Sequence, residues 1–253
     1  MSPSPRLNVS ERLSSPQDKR ELNEQLFSVV APRYDAVTRL LSLNRDRVWK
    51  TRMVDALPPM TSPVCLDLAC GTGDITIRLA AKYPHGRIIG IDLTAAMLER
   101  ARARCPAPHV QFQRGDMGRT GLETGSVDIV TGGYALRNAA DLRELLSEVH
   151  RVLKPGGIGS FLDFSKPHDR SLQRAEALLL KSWGGMWGCI LHGNPAVYTY
   201  IAKSLARFPD RTTLAMMLSS QGFAVESSEL LFCGILQRIT VRKSMATRGN
   251  CGV

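Results

Sequence analysis

Glycines and aspartates at regular intervals carry the first chemical signal in this chain. In Leu66-Asp67-Leu68-Ala69-Cys70-Gly71-Thr72-Gly73-Asp74 an apolar run ends in a G-x-G turn. Glycine there lets the backbone reverse sharply and lets a ligand approach it closely. A helix opening after that turn would present unpaired N–H groups to an anion. Asp92, with Leu93 beside it, closes the next predicted strand about 20 residues beyond the glycines, where a carboxylate can accept from both hydroxyls of a ribose. Asp116 ends a third strand in Gly115-Asp116-Met117; it is placed to take an adenine amino group, with Met117 against the ring. Asp67 either orders the loop or holds an ammonium group. A dinucleotide loop needs a third glycine three residues after the second, and that position is Thr76. The pattern therefore points to S-adenosylmethionine, with the methionine carboxylate in place of a pyrophosphate.

Strands and helices that alternate would have to position these groups. Val64–Leu68, Arg87–Ile91, Val110–Gln113, Val127–Thr131 and Ile158–Phe164 read as strands, the last entered through a Lys154-Pro155-Gly156-Gly157 turn. Helices are expected over Ile75–Lys82, over Ala95–Arg104 after Thr94 as N-cap, and over Asp141–Leu153. Leu142, Leu145, Leu146, Val149, Val152 and Leu153 give that last helix one apolar stripe. From Glu21 to Ala56 apolar residues recur at helical spacing with a break at Pro32, which predicts two or three helices able to cap a site. Between about 165 and 211 the strand rhythm stops in a Leu-, Trp- and Gly-rich stretch read as a helical lid insertion. A helix then runs to Gln221, Gly222 stops it, and Ala224–Val241 supplies two strands for an antiparallel pair at the sheet edge. The expected fold is α/β, a Rossmann-like, doubly wound, mostly parallel sheet with an antiparallel edge strand. One methyltransferase domain spans 21–243, between an N-terminal tail over 1–20 and a C-terminal tail over 244–253.

Composition narrows the class without deciding it. The chain has 253 residues, 43% of them hydrophobic and 22% charged, with a formal charge of +10. No stretch reaches the roughly 18 apolar residues of a spanning helix, and no secretory signal opens the chain, so a cytoplasmic protein is expected. The six cysteines form no CxxC pair and no zinc-like cluster, which predicts reduced thiols, mostly filling the core, and no metal. The basic residues are dispersed and match no RNA-binding module, so nucleic acid is not an expected partner.

With those motifs in place, the chain resembles the ubiquinone/menaquinone biosynthesis C-methyltransferase family over roughly Phe27 to Lys243. The recurring segments are Ala31-Pro32-Arg33-Tyr34-Asp35, Arg47-Val48-Trp49-Lys50, Leu66 to Asp74, Ala135-Leu136-Arg137-Asn138, Arg151 to Gly157, Phe164-Ser165-Lys166-Pro167, Tyr198-Thr199-Tyr200-Ile201 and Phe208-Pro209-Asp210. The resemblance implies methylation of a ring carbon of a prenylated quinol precursor. It puts cofactor contacts on Thr72, Asp92, Asp116 with Met117, and Gly133, beside the loop glycines Gly71 and Gly73. Departures are Gly132-Gly133 where a serine is frequent, Asp46 for a usual histidine, Thr38-Arg39 for Asn-Asp, Asp163 for glutamate, and Gly193-Asn194 in a more acidic stretch. Most of them fall on the presumed substrate side.

Carbon methylation needs the cofactor and acceptor held close in a dry site, and a ring hydroxyl made anionic. Arg137 is the expected phenolate stabiliser, Tyr34 a closing group, and Asp163 a base or orienter. Asn138, His192 and Tyr198 are candidate acceptor contacts. Leu178 to Trp187 would line a groove for the prenyl tail or touch a membrane surface, giving peripheral association helped by the positive charge. A homodimer is compatible with the sequence. Two other readings stay open: a methyltransferase or cofactor-dependent cyclase of specialised metabolism, and a nonenzymatic cofactor-binding subunit of a quinone-biosynthetic assembly.

Overall fold

A computed structural model describes residues 15–192 and 196–245, with the side chains at 181, 183–192 and 196–199 outside the described residues. Seven strands form one sheet: β1 Val64–Leu68, β2 Arg87–Asp92, β3 Val110–Arg114, β4 Val127–Gly133, β5 Leu153–Phe164, β6 Phe223–Leu231 and β7 Leu236–Lys243. Their order is β3-β2-β1-β4-β5-β7-β6. β1 to β5 pair in parallel, while β7 runs antiparallel to both β5 and β6. The chain thus winds outward from β1 in both directions, and the antiparallel pair closes one edge as expected.

Side-chain alternation explains why β1 is central. Leu66 and Leu68 enter one core with Leu145, Leu146 and Val149, while Cys65 enters the other with Met53, Leu79 and Ile129. A strand buried on both faces reads as a continuous apolar run, which is what the sequence shows. α3 (Asp46–Asp55) and α4 (Asp74–Lys82) cover the second core; α7 (Leu142–Val152) and α10 (Arg211–Ser220) cover the first.

Several boundaries differ from the sequence reading. α1 spans Pro16–Val30 and so begins inside the expected tail, because Ser15 caps it and accepts from Asp18 N–H at 3.1 Å. A 3-10 turn at Ala31–Arg33 and α2 at Tyr34–Leu41 follow. Lys154-Pro155-Gly156-Gly157 is part of β5, since Leu153 pairs with Val127 and Ile158 with Ile129 across a bulge, and Gly156 takes φ +77°. Thr94 stands at the start of α5 (Ala95–Arg104) but its side chain caps nothing. The insertion forms α8 (Arg170–His192) and α9 (Ala196–Arg207). α9 also completes the first core through Leu205. Of the described cysteines, Cys65 and Cys70 are buried and Cys233 is exposed.

Leu146 is fully buried in the first core. Leu146→Ala should lower the unfolding free energy by about 3 kcal/mol, read by urea denaturation.

Candidate functional site

The first cleft opens at the C-terminal ends of β1 and β4, where the strand order reverses and sheets of this kind receive ligands. After β1, Ala69, Gly71 and Gly73 adopt φ values of 49°, 56° and 84°. This turn aims the Gly71 N–H at Asp92 Oδ2, 2.8 Å away, while Thr94 N–H donates to Oδ1 at 2.8 Å. Burial raises the Asp92 carboxyl above the usual range, against those two N–H groups. Gly71, Asp92, Leu93, Asp116, Met117 and Gly133 line this cleft of about 70 Å³. A Cβ on Gly133 would come within 2.7 Å of Ile75 Cδ1, so the glycine keeps the cleft wall thin.

Other expected contacts lie behind the cleft. Asp67 is fully buried beneath the loop and accepts from Thr76 Oγ1 at 2.6 Å and Thr131 Oγ1 at 2.9 Å. Of its two expected roles, this geometry serves the ordering of the loop. The Thr72 hydroxyl donates to Asp35 Oδ1 at 2.6 Å and accepts from Arg104 at 2.8 Å. At Gly73 a Cβ would meet Ala101 Cβ at 3.3 Å. These residues shape the turn from below and do not line the cleft.

The N-terminal helices roof it. Arg20 of α1 pairs with Asp116 and with Glu144 at 2.9 Å, and Gly118 N–H donates to Asp116 Oδ1 at 2.8 Å. Asn23 Nδ2 donates to the Asn138 carbonyl at 2.7 Å, and Tyr200 Oη donates to Asn23 and, at 3.1 Å, to Asn138 Oδ1. Lys19 Nζ reaches the Arg137 carbonyl at 3.1 Å; burial first, then Arg137, pushes its ammonium down to about 8. The residues lining the cleft fit S-adenosylmethionine: Asp92 would take the ribose, Asp116 and Met117 the adenine, and the turn at Gly71 would pass beside the amino-acid arm.

A second, apolar cavity of about 350 Å³ adjoins the first. Phe27, Tyr34, Tyr134 and Asn138 line both. Leu26, Val30, Trp49 and Phe164 form much of the rest, with Arg137 as the cation in the wall. Arg137 belongs to α6 (Ala135–Asn138), a single turn that starts from the left-handed Tyr134, φ +60°. Its guanidinium is buried between the rings of Phe164 and Tyr200, 5.0 and 5.7 Å from their centroids, and donates to Ser204 Oγ. Its Nε lies 3.7 Å from Asp163 Oδ1 and has no hydrogen-bond acceptor.

Asp163 lies behind Arg137 and outside both cavities. It accepts from Arg137 N–H at 2.9 Å and Phe164 N–H at 2.7 Å. Burial raises its carboxyl, with Arg137 opposing. Of the two roles expected for it, its position is that of an orienter. Tyr34 and Asn138 line the acceptor cavity; the side chains of His192 and Tyr198 lie outside the described residues. Sequence reasoning missed Asn23, Tyr200 and Arg20. Tyr200 and Ser204 stand one helical turn apart with Leu205 and Phe208 beyond, and that phase marks the inward face of α9.

The sequence profile of the ubiE/COQ5 methyltransferase family matches residues 15–241. The chain belongs to the ubiE/COQ5 methyltransferase family. A demethylmenaquinone methyltransferase of Deinococcus radiodurans is 34% identical over 85% of this chain and 90% of its own length. A ubiquinone/menaquinone biosynthesis C-methyltransferase of Rubrivivax gelatinosus is 35% identical over 91% and 92%. In fold, the chain resembles an S-adenosylmethionine-dependent methyltransferase from Thermotoga maritima, with TM-score 0.60 and 17% identity, over 87% of this chain and 100% of that one. This ubiE/COQ5 member is an S-adenosylmethionine-dependent methyltransferase.

Burial lifts the Asp67 carboxyl to about 6, against the hydrogen bonds from Thr76 and Thr131. A folded-state value above the ordinary 3.8 means that the folded protein binds the extra proton, so this group's contribution falls as pH rises from 4 to 6. Asp67→Asn removes that slope. The unfolding free energy of the variant minus that of the parent should increase across this window, by on the order of 1 to 3 kcal/mol in chemical denaturation.

Proposed function

We propose that the enzyme transfers the methyl group to a ring carbon of a prenylated quinol, of the demethylmenaquinol or ubiquinone-precursor type. The observation that carries this reading is the apolar cavity with one buried, underused guanidinium, joined to the nucleoside cleft through Phe27, Tyr34, Tyr134 and Asn138. When bound, S-adenosylmethionine supplies an electrophilic sulfonium methyl. The protein's part is to hold the ring at the junction, exclude water and favour charge on the ring oxygen. Arg137 suits the last of these roles, because it is the cation in the wall of the apolar cavity, where an ionic hydrogen bond is worth more than in water. Tyr34 closes the junction, and Asn138, fixed by Tyr200 and Asn23, orients the ring.

The relatives' names support the quinone class, one being a demethylmenaquinone methyltransferase. The apolar lining supports a prenyl tail. Leu43, Leu179 and Phe232 line this cavity and are 61%, 54% and 36% exposed, forming an apolar lip beside the exposed Arg45 and Arg47. That lip supports peripheral docking on an anionic bilayer that delivers the tail. Among the described residues no helix is long and apolar enough to cross a membrane.

Incubation with methyl-labelled S-adenosylmethionine and a short-tailed demethylmenaquinol should place label on a ring carbon, read by mass spectrometry. Arg137→Ala should lower kcat by about 100-fold with cofactor affinity within about two-fold; an equal loss of cofactor binding would contradict the assigned role. Sedimentation with anionic vesicles at low salt should pull down the protein, and Leu43→Glu with Arg45→Glu should abolish that. Absence of vesicle binding in the parent protein would remove the membrane part of the reading.

A further inference from the structure

Ring methylation also needs somewhere for the hydroxyl proton to go. Among the described residues lining the acceptor cavity there is no carboxylate and no imidazole; the hydroxyls are those of Tyr34, Thr38, Ser42, Tyr134 and Tyr200, and that of Ser42 donates to the Arg39 carbonyl at 3.2 Å. Tyr200 gives its hydrogen to the amides Asn23 and Asn138, which cannot keep it. Tyr34 has the Thr38 hydroxyl beside it, which is no better a base. Tyr134 is different. Its Oη donates to Asp46 Oδ1 at 2.7 Å, and its side chain lines both cavities.

The carboxylate behind it is built in with care. Asp46 is 3% exposed, its Oδ2 pairs with Lys50 Nζ at 2.7 Å, and Lys50 also reaches Asp74 Oδ2 at 3.3 Å. The Lys50 ammonium lies 5.7 Å from the centroid of the Tyr134 ring. Burial alone would lower the Lys50 value, but Asp46, Tyr34 and Asp74 outweigh it and keep the ammonium charged. A buried ion pair of this kind adds little net stability compared with an apolar filling, so its place directly behind Tyr134 calls for another use. The groups facing Tyr134 are Asp46 and Lys50 from α3, Tyr34 from α2 and Asp163 from the end of β5. Burial first, and Asp46 second, raise the Tyr134 phenol well above its usual value, so it stays neutral and can conduct a proton without resting as an anion.

We propose that Tyr134 takes the proton of the acceptor's ring hydroxyl while passing its own to Asp46. The ring O–H bond breaks as a new Oη–H bond forms; the old Oη–H bond breaks as Asp46 Oδ1 gains the proton. Negative charge moves from Asp46 to the ring oxygen, where Arg137 meets it, and Lys50 keeps Asp74 as its partner. Once the ring carbon has been methylated, its C–H proton leaves to water and the relay returns the first proton to the oxygen. One proton is released in total. This inference rests on the phenolic acceptor of the proposed function.

The test compares Tyr134→Phe and Asp46→Asn with the parent, measuring kcat against pH on a short-tailed demethylmenaquinol and cofactor affinity by calorimetry. Both variants should lose about 100-fold in kcat near neutral pH, the scale of one general base. Both should recover tenfold per pH unit as hydroxide does the work, with cofactor affinity near that of the parent and, in Tyr134→Phe, a Tm near that of the parent. Unchanged kcat in Tyr134→Phe, or a loss equal at every pH, would overturn the relay while leaving the function standing. A parent protein that methylates no quinol at any pH would overturn both.

Discussion

The hydrogen bonds from Thr76 and Thr131 to the buried carboxylate of Asp67 hold together the three elements that meet at the reversal of the sheet: β1, α4 and β4. The backbone ladder already joins β1 to β4; these side-chain bonds add α4 to that pair beneath the loop. With them, two left-handed turns can be kept within reach of each other, one through Ala69, Gly71 and Gly73 and one at Tyr134. Such conformations cost of order 1–3 kcal/mol at a residue other than glycine and persist only where the surroundings fix them. The first turn presents backbone N–H to Asp92; the second presents Arg137 and Asn138 to the apolar cavity. Both turns thus start from strands that one buried acid, lining neither cavity, ties to α4.

The sheet supplies only half of the site. α1 and α2 add the roof, and their polar contacts are specific: Arg20 to Asp116, Asn23 to Asn138, Lys19 to the Arg137 carbonyl. Because Leu26, Phe27 and Val30 of α1 also line the apolar cavity, one helix walls both cavities. A displacement of α1 would open the nucleoside cleft and the apolar cavity together, so water exclusion is a collective property of the two sites.

Period and turn chemistry made the parallel strands, the glycine loop and the acids at the strand ends legible from the sequence, because those signals are local. β1, β2 and β4 are mostly buried, largely apolar runs, β3 is an alternating Val-Gln-Phe-Gln run, and such runs need no distant partner to be recognised. The start of α1 was legible too: Ser15 with Asp18 three residues on is an N-cap signal, masked by a Ser- and Pro-rich composition that reads as a tail. The Asn23–Asn138–Tyr200 network was not legible, since its members meet only after the sheet has closed. Asp46 stood out as a departure from the family resemblance, yet its meaning depends on Tyr134, far along the chain. The bulge at Lys154–Gly157 escaped for a related reason, as pairing with β4 overrides what the Pro-Gly-Gly sequence suggests.

The charges at the junction show why apolar burial and catalysis are compatible here. Each of the two buried cations near the acceptor cavity stands beside a buried carboxylate, Lys50 with Asp46 and Arg137 with Asp163, so the resting site carries no large net field. The two pairs differ in quality. The Lys50 pair is close, at 2.7 Å, and fully engaged; the Arg137 pair is 3.7 Å apart and leaves the Nε donor unspent. An unmade hydrogen bond on a buried charged group costs free energy in the resting protein. Asp163 stops short of that bond, because the N–H groups of Arg137 and Phe164 hold its carboxylate with Oδ1 3.7 Å from Nε. The guanidinium is thereby kept in place by its neighbours and kept short of an acceptor by the same neighbours. On the proposed reading a neutral ring hydroxyl would gain little from a cation in the cavity wall, whereas a developing oxyanion would gain most, which is the differential stabilisation that lowers a barrier and not merely a dissociation constant.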